Sequence, residues 1–179
     1  MCARHLQGEH VRLVALKSDM DVDVLARWSA MSESWRLLDA VGVRPAQSAA
    51  NDGVGFLIYP LAGDRAIGHA GLFGIDWTRG EAWLGIGLGD HEHWSTRVGL
   101  DALRTVLGYS FDELNLRRVL LGVFDYNARA LRMYESVGFA IEGRMLQEAS
   151  RSGRSRAGVY MSLRREEWEL PTEHATRNT

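Results

Sequence analysis

The stretch EAWLGIGLGDHEHWSTRVGLDALRTVLGYSFDELNLRRVLLGVFDYNARALRMYESVGF, residues 81–139, decides the fold. It opens with an apolar run over 81–89, passes a short polar loop at 90–96 and continues as an amphipathic segment over 97–114. A second apolar run follows at 119–124, then a second helical pattern that closes on Tyr134-Glu135-Ser136-Val137-Gly138-Phe139. The order is strand, helix, strand, helix. A crossover of this length joins parallel strands and is almost always right-handed, so the first helix lies across one face of the sheet. Its N-terminus then stands at the C-terminal edge of the first strand, where unpaired amides form a natural anion site.

In the first helix Leu100, Leu103, Leu107, Phe111 and Leu114 recur at spacings of three and four, a core-facing stripe. Gly108 within it suits a close helix contact. In the strand before it, the period of two puts Glu81, Trp83, Gly85, Gly87 and Gly89 on one face and Ala82, Leu84, Ile86 and Leu88 on the other. Three glycines on one face weaken a buried strand unless something approaches closely there. A ligand, a bulge or a tightly packed helix each meets that requirement.

Working outward, 53–59 and 66–75 read as strands joined by a turn at 60–64, and 76–80 turns into the strand at 81. The three form an antiparallel meander leading into the parallel unit. Before them, 10–16 alternates as a strand, and Ser18 with Asp19 and Asp21 starts a helix carrying Val24, Leu25, Trp28 and Met31. A short helix at 33–40 carries Trp35, Leu37 and Leu38, and Pro45 marks its exit into a loop through Asp52. Residues 140–149 and 157–164 read as a closing hairpin around a basic connection at 151–156, and 171–179 as a frayed tail. The expected organisation is one domain over 1–170 and a flexible tail over 171–179.

A chain of 179 residues with 46% hydrophobic and 25% charged residues can bury a proper core without disulfides. The lone cysteine, Cys2, cannot form an internal bridge and reads as an exposed thiol. A net charge of -2 gives no basic footprint for nucleic acid. The sequence holds neither an 18-residue apolar run nor a charged-then-apolar leader pattern, so the expected location is cytoplasmic, away from membranes.

Three segments carry a resemblance: Trp94 through Leu103, Tyr109 through Val119 and Asn127 through Phe139. In that order and spacing the chain resembles the GNAT N-acetyltransferase superfamily, and more narrowly the branch of ribosomal-protein N-terminal (alanine/serine) acetyltransferases. The resemblance extends loosely from about residue 6 to 163. It implies an α+β fold: a mixed, mostly antiparallel twisted sheet of six or seven strands with a central parallel pair and helices on both faces.

It also implies acetyl-CoA as co-substrate and an amine acceptor, either a protein N-terminus or a small molecule. The pantetheine arm would pair with backbone groups at Ile86, Gly87 and Leu88, where two parallel strands splay apart. The loop and first turn from Trp94, Ser95, Thr96, Arg97 and Val98 to Gly99 and Leu100 would offer amides to the pyrophosphate. Asn127 would bind the pantetheine while also serving as a helix N-cap, and Ala130 and Leu131 would flank it. Tyr134 is the implied catalytic group, giving a proton or hydrogen bond to the departing CoA thiolate. Backbone N–H groups near Gly87 and Leu88 would hold the oxyanion. By the same analogy, Trp28 and Trp35 line the acceptor cleft or belong to the core.

One departure matters. The family's phosphate loop usually reads Gln/Arg-x-x-Gly-x-Gly/Ala, and here the first glycine position holds Arg97. Its guanidinium can pair with a phosphate, or the residue can obstruct the loop. The general base expected is Glu81, on the glycine-lined face, although Trp83 occupies the place where some family members carry a carboxylate. His69, His91 and His93 are weaker candidates. His91-Glu92-His93 lacks a third ligand at recognisable spacing, so no metal site is expected. The implied activity is acetyl transfer to a primary amine by direct attack. The competing possibility is a GNAT-fold binding or regulatory module whose cofactor loop Arg97 has impaired. Homodimerisation is possible on general grounds.

Overall fold

The computed structural model describes residues 6–16, 53–89, 97–147 and 156–169. The expectations for Cys2, for the helices and loop over 18–52 with Trp28 and Trp35, for His91, His93, Trp94, Ser95 and Thr96, for the basic connection and for the tail lie outside them.

Seven strands form one sheet in the order β1-β2-β3-β4-β5-β7-β6. They are β1 Val11–Ala15, β2 Val54–Pro60, β3 Gly68–Asp76, β4 Glu81–Leu88, β5 Arg118–Phe124, β6 Ala140–Gln147 and β7 Arg156–Arg164. Every neighbouring pair is antiparallel except the central β4–β5 pair. This is the mixed sheet that the resemblance implies. One feature goes beyond it: β7 enters between β5 and β6, which leaves β6 at the edge.

The helices are α1 Val98–Gly108, α2 Ala128–Glu135 and a short α3 Arg165–Glu169. The stripe on α1 is where the spacing puts it, with Leu103, Leu107 and Phe111 fully buried beside Ala102 and Val106. Leu100 and Leu114 are partly buried against the same core. Burying each large apolar side chain contributes about 1.5–3 kcal/mol, so this face fixes α1 on the sheet. It meets Ala70 and Leu72 of β3, Ala82 and Leu84 of β4, and Val119 and Leu121 of β5 in one cluster.

The expected helix over 97–114 changes character at its end. Residues Tyr109–Glu113 form a π turn, in which the Leu114 N–H reaches back to the Tyr109 carbonyl. The Ser110 hydroxyl donates to the Val106 carbonyl at 2.7 Å, the back-bonding that perturbs a helix ladder. Arg165 binds the freed Phe111 and Leu116 carbonyls and the Asn115 side chain, so the first turn of α3 caps this end. The sequence reading assigned no helix at α3.

Asp101 on α1 ties the other end of the sheet to this layer. Its carboxylate accepts from the N–H groups of Glu9, His10 and Val11 at 3.1, 2.7 and 3.0 Å. A Cβ on Gly8 would collide with that carboxylate unless it moved, so glycine permits the close approach seen here. No sequence pattern signals this contact, whose partners lie about 90 residues apart.

Candidate active site

β4 is paired along one edge for its whole length and along the other for only part of it. With β3 the register runs without a break from Phe73↔Trp83 to Gly68↔Leu88, and a one-residue shift in β3 between Phe73 and Asp76 precedes the Asp76↔Glu81 pair. With β5 it consists of Glu81↔Arg118, Ala82↔Val119 and Trp83↔Leu120, and then ends. Beyond that point β5 pairs only with β7, through Leu121↔Met161 to Phe124↔Gly158. The two parallel strands therefore separate after Trp83 and Leu120, and among the described residues the β5-facing edge of β4 from Leu84 to Gly87 is left without a strand partner. A buried strand edge needs polar partners for its N–H and C=O groups.

The face of the sheet carrying α1 is closed beneath this opening, because Leu84, Leu121 and Val123 are buried in the core there. The opposite face carries Trp83, Gly85 and Gly87 of β4. The glycine-lined face read from the sequence thus coincides with the strand opening, and the separation of the strands, rather than a bulge in β4 itself, accompanies it.

At the C-terminal edge of this opening stands the first turn of α1. Arg97 precedes it with φ -63° and ψ -11°, an ordinary right-handed conformation, and its side chain is exposed. The backbone thus accepts arginine without strain. Gly99 is buried, and a Cβ built on it would lie 3.4 Å from Leu88 Cδ1 and 3.8 Å from Met133 Sδ. Those contacts show β4, α1 and α2 converging at one point. Val98 and Leu100 pack partly against the core on either side.

Asn127 caps α2 as its residue type suggests: its side-chain oxygen accepts from the Ala130 N–H at 3.2 Å. Ala130 and Leu131 are partly buried in the first turn. Tyr134 is 7% exposed and belongs to the core cluster. Burial pushes its phenol up to about 12, so the hydroxyl stays protonated at neutral pH and can only be a donor or a neutral acceptor.

Phe139 holds Tyr134 in two ways that the sequence reading missed. Its N–H donates to the Tyr134 carbonyl at 3.1 Å, and its ring meets the tyrosine ring edge-on at 5.8 Å between centroids. Gly138 takes φ +106° to turn the chain back for both contacts. Glycine four residues after the tyrosine and an aromatic five residues after it is a legible form of this helix ending.

Glu81 requires a correction. It lies at the N-terminal end of β4, six residues from Gly87, or about 20 Å along a strand. There it pairs with Arg118 at 3.3 Å, and Arg118 also meets Glu142 at 3.2 Å. Glu81 therefore anchors the closed end of the parallel pair, because the parallel register places it beside Arg118, and it is not placed to accept a proton at the open end. The alternating pattern assigned the correct face and could not reveal the separation along it. His69, the other described candidate base, pairs in register with Gly87 and is buried, which lowers its pKa to about 4. A group of that pKa is neutral near pH 7 and a weak proton acceptor. Among the described residues no group of three or more His, Cys, Asp or Glu side chains could hold a metal ion. No helix among them is long and apolar enough to cross a membrane.

A splayed parallel pair, a helix N-terminus at its open end and a buried tyrosine on the following helix thus meet in one region. The profile of the family described as acetyltransferase (GNAT) domain matches residues 1–140, and the chain belongs to that family. Among curated relatives, the protein named "Uncharacterized N-acetyltransferase p20" of Bacillus licheniformis is 32% identical over 98 residues, 55% of this chain and 54% of that protein. "Probable N-acetyltransferase YjcK" of Bacillus subtilis (strain 168) is 37% identical over 91 residues, 49% of each chain. The chain thus spans about half the length of the curated relatives it matches. Among solved structures, a GNAT-family protein of Chromobacterium violaceum superposes with a TM-score of 0.75 at 24% identity, over 92% of this chain and 88% of that one. The spermidine N-acetyltransferase of Vibrio cholerae, solved with CoA and spermine, gives a TM-score of 0.72 at 23% identity, over 89% and 98%. At these identities the likeness is one of fold.

Proposed function

We propose that the protein is an acetyl-CoA-dependent N-acetyltransferase acting on a primary amine. The observation that carries this is the end of the β4–β5 register after Trp83↔Leu120. The open main-chain edge of β4 there suits the pantetheine of CoA, whose amides can take the place of the missing strand. The residues present fit the group in that respect. When bound, acetyl-CoA supplies an activated acyl carbon and a thiolate leaving group.

The chain's own residues then have separate tasks. Main-chain groups of Ile86, Gly87 and Leu88 orient the arm and face the carbonyl oxygen on which negative charge develops. The α1 amides at Val98, Gly99 and Leu100 face the diphosphate, helped by the helix dipole. Trp94, Ser95 and Thr96 belong to the same proposed loop. The exposed Arg97 adds a charge-assisted contact from outside it. Asn127 holds the first turn of α2, so Ala130 and Leu131 flank the arm and Tyr134 faces the sulfur.

In the net reaction a C–N bond forms between the amine nitrogen and the acetyl carbon, and the C–S bond breaks. One proton of the neutral amine passes to the thiolate. An ammonium must first lose its proton; among the described candidates His69 is a weak acceptor and Glu81 stands at the far end of β4, while His91 and His93 lie outside the described residues. Tyr134, with its pKa raised to about 12, stabilises the thiolate by hydrogen bonding more than by full proton transfer, since a thiol titrates near 8.5. The ordinary backbone at Arg97 removes strain as a ground for the non-catalytic module. An α-amine on a protein, as in the ribosomal-protein branch, and a small-molecule amine both remain within this proposal.

Isothermal titration with acetyl-CoA and CoA, followed by a thiol-release assay over an amine panel, tests the reading. Micromolar to sub-millimolar binding with turnover of at least one primary amine is expected. Absence of binding at millimolar ligand would overturn it.

A further inference from the structure

Resting on the acetyltransferase reading above, we propose that the acceptor is a primary amine carried on an aromatic or branched apolar group, seated on Trp83, Tyr160 and Phe73. The attacking nitrogen must come within about 3–3.5 Å of the acyl carbon at the β4–β5 opening. It cannot come from the α1 face, which Leu84, Leu121 and Val123 fill. The approach is therefore over the opposite face, and that face has a defined chemistry.

Trp83 is the last β4 residue in register with β5, at the fork itself. Its ring meets the ring of Tyr160 on β7 edge-on, at 5.9 Å between centroids and 80° between planes. The two reach each other across β5, where the residue directly paired with Tyr160 is Gly122, which has no side chain to intervene. On the other side Phe73 pairs in register with Trp83, and a Cβ on Gly85 would lie 3.5 Å from Phe73 Cε1. Gly85 is itself buried and adds no side chain between Phe73 and the opening, whereas Gly87, two residues on, is partly exposed. Trp83, Tyr160 and Phe73 are all partly buried rather than sealed in the core.

An aryl or branched side chain can lie against these rings with an edge-on or offset geometry, while its amine extends towards the partly exposed Gly87. Among the described residues of this face, Glu81, Arg118 and Glu142 are engaged with one another at the closed end, where Asp76 and Arg164 also stand in register. They anchor the sheet and leave recognition at the fork to the rings.

The test uses the full chain with acetyl-CoA, reading thiol release with phenethylamine and tryptamine against spermidine and putrescine. The expected kcat/KM for phenethylamine exceeds that for spermidine by about tenfold or more. Trp83→Ala and, separately, Tyr160→Ala should lower the phenethylamine value about tenfold, chiefly through KM, with acetyl-CoA Kd held within about twofold. Trp83→Phe should retain most of the preference, and thermal unfolding of each variant checks that it is folded. A higher kcat/KM for spermidine would overturn the proposal. So would an equal loss for both amine classes in the folded alanine variants, or acetyl-CoA binding without turnover of either aryl amine. Failure of acetyl-CoA to bind the unaltered protein would instead sink the underlying acetyltransferase reading.

Discussion

The two ends of β4 share a strand and a face but have different chemistry. At the Glu81 end the backbone is hydrogen-bonded on both edges, and Arg118 bridges two carboxylates across the sheet. At the Gly85–Gly87 end one edge has no strand partner, side chains are absent from the glycine face, and α1 and α2 converge beside it. A charged side chain therefore marks the anchored end, and its absence marks the end proposed to receive the ligand. In this molecule a carboxylate on the right face of the right strand is a structural anchor. On the proposed reading the residues that serve chemistry there offer main chain.

Perturbing the open end should have the largest effect. Tyr134→Phe removes the hydroxyl and leaves the ring contact with Phe139 in place. The expected outcome is a fall in kcat on the order of 100-fold with CoA affinity held within about twofold. Unaltered turnover in steady-state assays would remove the tyrosine from the mechanism.

Arg97→Gly probes the rim of the same end. Loss of one exposed charge-assisted phosphate contact should weaken CoA binding by about three- to tenfold in calorimetry. Tighter binding would mean that the arginine obstructs the loop.

The smallest effect on activity belongs to the closed end. Glu81→Gln should leave kcat and KM within about twofold and reduce stability by about 1 kcal/mol in denaturant unfolding, since the pair is only half-buried and Arg118 keeps Glu142. A collapse of kcat in a folded Glu81→Gln variant would restore Glu81 to the reaction and erase the distinction between the two ends.

Much of this architecture was legible because it rests on local periodicity. Alternation located the strands around Gly85, the spacing of Leu103, Leu107 and Phe111 located α1, and residue type alone marked Asn127 as a cap and Gly138 as a helix ending. The site was legible as a set of segments and much less so as a geometry. The strand period assigned Glu81 to the glycine face, but only the β4–β5 register shows that it lies at the wrong end of it. Contacts between distant segments left no trace in the sequence: Asp101 on the amides before β1, Arg165 on the end of the π turn, and Trp83 against Tyr160 across Gly122. Each depends on which strands become neighbours, and the entry of β7 between β5 and β6 is a tertiary choice that no local pattern encodes.

The central claim is that the open half of β4 receives the pantetheine arm, and residue-resolved amide hydrogen exchange with and without CoA tests it most directly. CoA should slow exchange at those amides between Leu84 and Leu88 that face the β5 edge, alternate ones along the strand, and in the first turn of α1, and leave Glu81 through Trp83 unchanged. Protection spread evenly along β4, or none between Leu84 and Leu88 at saturating CoA, would contradict the account.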